Sequence, residues 1–296
     1  MQSVFIPFSL HSEELHMKSL QKTAISAAAV ALLAGLASAS AFAADTPADP
    51  EAAGNPIAAN VTVVSDYRYR GISQTNFKPA IQGGFDYAHE SGFYIGNWNS
   101  NISWISDAAS QGGANNVSAP IEMDFYAGFK KELIGEGFAS DLGVLQYYYP
   151  TTGLPSSATN PNTTEIYAAQ NYTLGPVTGF VKFSYAVTNT FGFANSSGSY
   201  YPDLTANYDT GVWGLAVNAH VGYQKIAGQN VVAGVPTASY TDWKLGLTKD
   251  FGGGLSLAAA YIGTNAAKSG STYAYQSPSG KNLGGSTGIV SLTKTF

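Results

Sequence analysis

Short segments in which apolar and polar residues alternate recur along most of the chain, and this period of two constrains the fold most. Successive side chains of a β-strand point to opposite faces, so the alternation indicates strands with one apolar and one polar face. The clearest case is segment 212–224, where an apolar row begins at Trp213 and ends at Tyr223 while Asn218 and His220 have the opposite parity. An apolar row with an aromatic residue at each end is typical of a strand in a membrane barrel.

Twelve segments of this kind are predicted as strands. Their predicted spans are 60–70, 79–88, 92–104, 121–130, 138–149, 164–174, 177–187, 199–209, 212–224, 240–250, 255–265 and 287–296. The connections alternate between short turns and longer polar loops, as in the hairpins of a membrane barrel. The predicted fold is therefore all-β: a closed antiparallel transmembrane β-barrel of about 12 strands, with long loops outside the cell. Segment 138–149 stays ambiguous, because Gln146 interrupts one parity and Asp141 the other, and a bulge would reverse its register.

Parity also predicts which side chains face lipid. In segment 60–70 it directs Tyr67 and Tyr69 towards lipid and Arg68 and Arg70 towards the lumen. In segment 92–104 it directs the aromatic row to lipid and the asparagines to the lumen; the row is Tyr94, Trp98 and Trp104, and the asparagines are Asn97, Asn99 and Asn101. The tryptophans and the run at 147–149 are interpreted as interfacial aromatic girdles; sugar binding by these rings is the alternative.

Three stretches near the start of the predicted barrel resemble a known family. SDYRYRGISQT at 65–75, QGGFDY at 82–87 and SGFYIGNW at 91–98 resemble the opening signature of the TorF-type family of outer-membrane porins of Gram-negative bacteria. The later strands agree with that family in pattern more than in wording. The resemblance implies an outer-membrane barrel and brings no catalytic residues.

The N-terminal region predicts export. Lys18 and Lys22 precede an apolar run at 25–36, and Ala-Phe-Ala at 41–43 matches a signal-peptidase site, with Met17 as the expected start. The apolar run is shorter than the roughly twenty residues that span a bilayer as a helix. No Cys follows the cleavage site, which excludes a lipoprotein anchor.

These features divide the chain into three predicted parts. Residues 1–43 are an N-terminal extension and cleaved signal peptide, 44–59 a flexible periplasmic lead rich in Pro, Ala and acidic residues, and 60–296 the transmembrane barrel. The net charge of −5 argues against a nucleic-acid partner. The chain has no Cys, which suits a barrel closed by hydrogen bonds in an oxidising compartment.

In a porin the chemistry lies in the inward side chains. The candidate pore-lining residues by parity are Asp66, Arg68, Arg70, Gln82, Asp86, Glu122, Asp124, Lys182, Asn218 and His220. One hypothesis sets Arg68 or Arg70 against the carboxylates of Asp86, Glu122 and Asp124 as a constriction that favours polar or charged solutes. The other is that these charges pair across a narrow lumen and plug it.

The predicted function is passive diffusion of small polar solutes or ions through an outer-membrane porin. The alternative is a barrel without a pore that acts through its extracellular loops. No catalytic, cofactor-binding or metal-binding residues are predicted. His220 and Asn218 have no motif-marked serine beside them. The expected mature chain holds only His89 and His220, and neither has the close carboxylate–histidine spacing of a zinc site.

The last residue, Phe296, ends an alternating strand and resembles the signal that the barrel-assembly machinery reads, although Lys294 stands where an apolar residue is usual. The expected partners are therefore that machinery, outer-membrane lipid and lipopolysaccharide, and small solutes.

Overall fold

A computed structural model describes residues 56–114, 116–229 and 236–296. Twelve antiparallel strands form a closed barrel within these residues, as the alternation predicts. In chain order the elements are β1 (Ile57–Val64), β2 (Arg68–Tyr69), β3 (Ile72–Ser73), β4 (Ala80–Ala88), β5 (Phe93–Asn101), α1 (Trp104–Gln111), β6 (Ile121–Glu132), β7 (Phe138–Tyr148), β8 (Thr163–Leu174), β9 (Val177–Ala186), β10 (Tyr200–Asp209), β11 (Leu215–Gln224), β12 (Tyr240–Asp250), β13 (Leu255–Thr264), β14 (Lys268–Ser269), β15 (Thr272–Tyr273) and β16 (Thr287–Thr295). The twelve strands of the closed sheet form the barrel wall, and the two short hairpins, β2–β3 and β14–β15, are not part of it.

The barrel wall consists of consecutive antiparallel hairpins, and its first and last strands pair with each other. Neighbouring wall strands follow one another along the sequence, and β1 pairs with β16 to close the barrel. The register is continuous through the ambiguous strand β7 on both sides. Asp141 is buried inside, whereas Gln146 lies on the outer face and accepts a hydrogen bond from Thr164 at 2.6 Å. Asp141 and Gln146 therefore lie on opposite faces of a regular strand, and β7 has no bulge.

The two ends of the barrel differ in their connections. At the short-turn end the gaps are 89–92, 133–137, 175–176, 210–214 and 251–254. At the long-loop end they are 65–79, 102–120, 149–162, 187–199, 225–239 and 265–286. Because both the start of β1 and the end of β16 lie at the short-turn end, the alternation of loop lengths predicted from the sequence matches the structure.

The outer face of the wall is apolar. Ile81, Ile95, Val181 and Leu245, for example, expose 50–67% of their surface. The opposite parity carries the charged and amide groups: Asp124 is 0% exposed and Glu122 1%. A barrel in water would bury its apolar face, so the arrangement is that of a membrane barrel.

Tyrosine rings lie against glycines on the inner wall. The Tyr126 ring occupies the space that a side chain at Gly96 would fill, and the Tyr201 hydroxyl end does the same at Gly222. A glycine leaves room on the pleated inner surface for a large ring from the neighbouring strand. The lumen is filled by such rings as well as by charged groups.

The start of the barrel differs from the sequence prediction. β1 begins at Ile57 and ends at Val64, instead of spanning 60–70. Residues 66–75 leave the wall and are all buried, and we name them the inward hairpin. The predicted signal peptide and most of the predicted lead, residues 1–55, lie outside the described residues. Among the residues described, no helix has the length and apolarity to cross a bilayer.

Candidate functional site

The inward hairpin crosses the lumen towards strands far away in sequence. Tyr67 donates a hydrogen bond to Glu122 of β6 at 2.9 Å, and the hydroxyls of Tyr69 and Tyr147 of β7 are 2.6 Å apart. These contacts correct the prediction for Tyr67 and Tyr69: both rings are buried in the lumen and not exposed to lipid. The alternation continues past Val64 in the sequence, but the backbone has already turned inward.

The tip of the hairpin is a tight turn. Arg68 pairs with Ser73 and Tyr69 with Ile72, so Arg70 and Gly71 form a two-residue loop. Both have positive φ, 44° and 77°, as the favoured hairpin turn requires. Arginine seldom adopts this conformation, so the surrounding contacts must hold it there.

Those contacts are on the far wall. The Arg70 guanidinium donates to both carboxylate oxygens of Glu165 on β8, at 3.1 and 2.8 Å, and to Gln224 on β11 at 2.5 Å. Its centre also lies 4.1 Å from the centroid of the Tyr201 ring of β10. A bidentate arginine–carboxylate pair of this kind is strong, and its geometry fixes the orientation of both side chains. One side chain therefore joins the hairpin to three wall strands.

Arg68 holds the base of the hairpin. Its Nε donates to Asp66 at 2.6 Å, and its Nη1 donates to the carbonyls of Gly71, Leu283 and Gly285. The last two carbonyls belong to the loop 265–286. The loop 265–286 and the inward hairpin therefore share one cation.

The other predicted pore-lining residues lie on wall strands with their side chains inside. This group is Gln82, Asp86, Glu122, Asp124, Lys182, Asn218 and His220. Asp86 accepts a hydrogen bond from Tyr126 at 2.6 Å, and Asn218 donates to Asn207 at 2.8 Å. Asp66, Arg68 and Arg70 also lie in the lumen, but on the inward hairpin and not on a strand of the wall.

The carboxylate that the hairpin tip binds is not among the predicted ones. The hypothesis sets Arg68 or Arg70 against Asp86, Glu122 and Asp124, whereas the structure brings Arg70 onto Glu165. The alternation could have found Glu165, since it has the parity of Tyr167, which is buried, and the opposite parity to Ile166, which is 49% exposed. Its pairing with the hairpin tip could not be read from parity.

His220 lies between two carboxylates. Its Nδ1 is 2.9 Å from Asp203 and its Nε2 is 2.8 Å from Asp242. The Tyr201 and Thr205 hydroxyls are also within 3.2 Å of the ring nitrogens. No serine hydroxyl bonds to His220 among the described residues, and these hold no cluster that could bind a metal ion. The ring therefore serves a buried polar network.

Several aromatic residues predicted as girdle anchors are interior. Trp98 is 5% exposed, Tyr147 0% and Tyr149 4%. Trp98 lies opposite Gly84 and Asp124, which fixes its inward parity, so the predicted faces of β5 are reversed. Tyr94 is likewise buried, and Asn97, Asn99 and Asn101 are on the outer parity. Of the tryptophans, Trp213 is the exposed one, at 80%.

A cavity of about 450 Å³ opens at the long-loop end, above the inward hairpin; we name it the vestibule. It is built from the hairpin, α1, and the loops 187–199 and 265–286 together with strand ends. Its aromatic lining is Tyr69, Trp104, Tyr149, Phe191, Phe193, Tyr240, Tyr273 and Tyr275. The polar lining includes four glutamines: Gln74, Gln111, Gln224 and Gln276.

A family model described as "Bacterial protein of unknown function (Gcw_chp)" matches residues 48–296. No curated protein matches the chain in sequence. Solved structures with some similarity include the KdgM porin, at 7% identity and a TM-score of 0.47, covering 81% of this chain and 99% of that one. The NanC porin has 8% identity and a TM-score of 0.49, covering 81% of this chain and 98% of that one. A porin refined at 1.8 Å has 13% identity and a TM-score of 0.37, covering 73% of this chain and 62% of that one.

Proposed function

The chain belongs to the Gcw_chp family of bacterial proteins, and from that premise we propose that it is a porin-like channel of the outer membrane. It passes small polar solutes or ions passively through a lumen narrowed by the inward hairpin. The observation that carries the proposal is the pair between Arg70 and Glu165, which sets charges in mid-lumen inside a wall that is apolar outside. The resemblance to TorF-type porins agrees with this function.

The outer face supports the membrane location. Interior groups such as Asp124 are buried while outward residues such as Phe85 and Leu142 expose 55% and 63% of their surface. Closed barrels satisfy every backbone hydrogen bond between strands, which is the condition for spanning lipid without helices. The long loops then face outwards and the short turns face the periplasm.

The lining supports selectivity by charge. The inward charges that would border a solute path are Arg70 beside Glu165 and, on the wall strands, Asp86 and Lys182. In a narrow tube of low dielectric, charge interactions are stronger than in water, so such groups favour polar over apolar solutes. No energy source is part of this mechanism.

A second function is favoured by one observation. All residues from 66 to 75 are buried, and the hairpin contacts β6, β7, β8, β10 and β11. A hairpin held this firmly would block the lumen, and the barrel would then act through its long loops.

Single-channel recording separates the two functions. The refolded mature protein, residues 44–296, is inserted into a planar bilayer with a salt gradient across it. Discrete current steps support the channel, and the sign of the reversal potential gives its preference for cations or anions. A folded, heat-modifiable barrel that conducts no current would refute the channel and favour the second function.

The proposal extends to export and assembly. Residues 1–43 are the extension and signal peptide, with translation starting at Met17, and the barrel-assembly machinery reads the strand that ends at Phe296. Lipid and lipopolysaccharide surround the wall. N-terminal sequencing of the protein from isolated outer membranes should begin at Ala44; a longer N-terminus would contradict cleavage at that site.

A further inference from the structure

We propose that the vestibule binds a short, neutral saccharide. The proposal goes beyond passage through the lumen, because the vestibule lies on the long-loop side of the inward hairpin and needs no conduction to bind a ligand. Its volume of about 450 Å³ falls in the range of small-molecule sites. The class of ligand follows from the lining: aromatic rings, carboxamides and little charge.

The aromatic lining is held rigidly. Trp104 packs edge-to-face on Tyr149 at an interplanar angle of 89°, and Tyr240 on Tyr275 at 77°. Phe193 also meets Tyr275 at 78°. Rings fixed in this way present apolar surfaces without losing side-chain freedom on binding. The C–H faces of a sugar ring match such surfaces.

The carboxamides supply both donors and acceptors. Gln111 donates its Nε2 to the carbonyl of Gln276 at 3.0 Å, and Gln276 accepts at its Oε1 from the Tyr273 amide at 3.1 Å. Within the described residues, no hydrogen bond uses the Gln111 carbonyl oxygen or the Gln276 amide nitrogen. A sugar hydroxyl both donates and accepts, so a ligand rich in hydroxyls pairs with both free groups.

The charge of the lining selects a neutral ligand. Asp107 is its one ionisable carboxylate, and no Lys, Arg or His of the described residues lines the cavity. Both arginines of the hairpin are already paired with carboxylates, Arg68 with Asp66 and Arg70 with Glu165. Burial raises the pKa of the Tyr149 and Tyr275 hydroxyls, so both stay uncharged. An acidic sugar would find a carboxylate and no cation.

Calorimetry on the refolded mature protein tests the proposal. A zwitterionic detergent is used, since detergents with sugar heads would compete for the site. Maltotriose, cellotriose and xylotriose are the neutral probes, trigalacturonate the acidic one, and p-cresol the aromatic one without a sugar ring. We expect at least one neutral trisaccharide to bind, and trigalacturonate to bind more weakly.

Matched tryptophan variants locate the site. Trp104→Leu should weaken binding about tenfold or more, the loss expected from about 1.4 kcal/mol. Trp213→Leu makes the same change at the exposed short-turn end and should leave binding unchanged. If Trp104→Leu does not fold, Gln111→Ala on the surface of α1 replaces it, with a several-fold loss expected.

Four results would overturn the proposal. The first is that no neutral trisaccharide binds at about 10 mM, a concentration at which a useful solute site should be occupied. The second is that trigalacturonate binds more tightly than the neutral trisaccharides, and the third is that p-cresol alone binds. The fourth is that Trp104→Leu and Trp213→Leu weaken binding equally. A silent barrel that still binds a neutral trisaccharide would refute the channel and leave this inference standing.

Discussion

The guanidinium of Arg70 and the carboxylate of Glu165 meet across the lumen through two hydrogen bonds, although the residues are 95 positions apart. Both side chains are almost fully buried, at 1% and 2% exposure. Arg70 can reach Glu165 because the hairpin turn brings its tip to the far wall. The pair therefore fixes the hairpin in the lumen, and it is the place to test whether the hairpin controls passage.

Glu165→Gln should release the hairpin and raise single-channel conductance. The change leaves the buried Arg70 charge without its carboxylate, and breaking one side of a buried pair costs about 3–5 kcal/mol. Recording in planar bilayers and urea titration of the folded band measure both effects. Glu90→Gln alters an exposed glutamate in a short turn and serves as the control. Conductance and urea midpoint equal to wild type in Glu165→Gln would show that the pair does not hold the hairpin.

Gly71→Ala should destabilise the hairpin turn. Gly71 has a φ of 77°, and a Cβ there would lie 2.5 Å from Thr264 Cγ2 and 2.9 Å from Asp242 Cβ. Strain and overlap together should lower the free energy of unfolding by about 1–3 kcal/mol, measured by urea titration. Gly288→Ala is the control, since nothing lies within 4 Å of its Cβ position. Equal midpoints for the two variants would mean that the hairpin tip is not packed on β12 and β13.

Gly222→Ala should clash with Tyr201, because a methyl group on Gly222 would overlap the end of the phenol ring. Removing the hydroxyl with Tyr201→Phe should recover only part of the loss, because the ring carbons still lie against the added methyl group. That hydroxyl also donates to Asp242 at 2.9 Å, so the two single variants and the double variant are compared in a cycle. A coupling free energy near zero in urea titration would contradict the packing of this ring on the glycine.

His220→Ala should lower stability without altering lipid turnover. The variant leaves Asp203 and Asp242 without the ring that both contact, and removing one partner of a buried ion pair costs about 3–5 kcal/mol. Heat-modifiability on gels measures the stability, and release of fatty acid from phospholipid vesicles measures lipid hydrolysis. His89→Ala, in an exposed turn, is the matched control. Hydrolysis by wild type that is lost in His220→Ala alone would indicate an enzyme.

Much of the wall could be predicted from the sequence, because strand boundaries depend on local alternation. β12 spans 240–250 as expected, and β9 ends one residue before the predicted 187. In β9 the predicted faces are also right, with Val181 outward and Lys182 inward. Because apolar side chains face lipid and charged side chains face the lumen, the alternation along such a strand determines which face each residue occupies.

The faces of β5 could not be read in the same way. Asn97 donates to the carbonyl of Asp124 at 2.9 Å, and Asn99 donates to Asn97 at 2.5 Å, so both amide nitrogens find acceptors on the outer parity. Inside, Trp98 packs on Tyr67 of the hairpin, with ring centroids 5.5 Å apart. Large rings such as these fill the lumen. The alternation of apolar and polar residues does not show whether a lumen is filled, so it could not predict that the rings face inward.

The inward hairpin has a consequence for biogenesis. It follows β1 directly in the chain, whereas the strands that it contacts, which lie between β5 and β13, are synthesised later. The barrel closes when the last strand, β16, pairs with β1, beside the point where the hairpin leaves the wall. Residues 66–75 are therefore available to enter the lumen before that seam forms, so that the last strands can pair around a segment that is already in place.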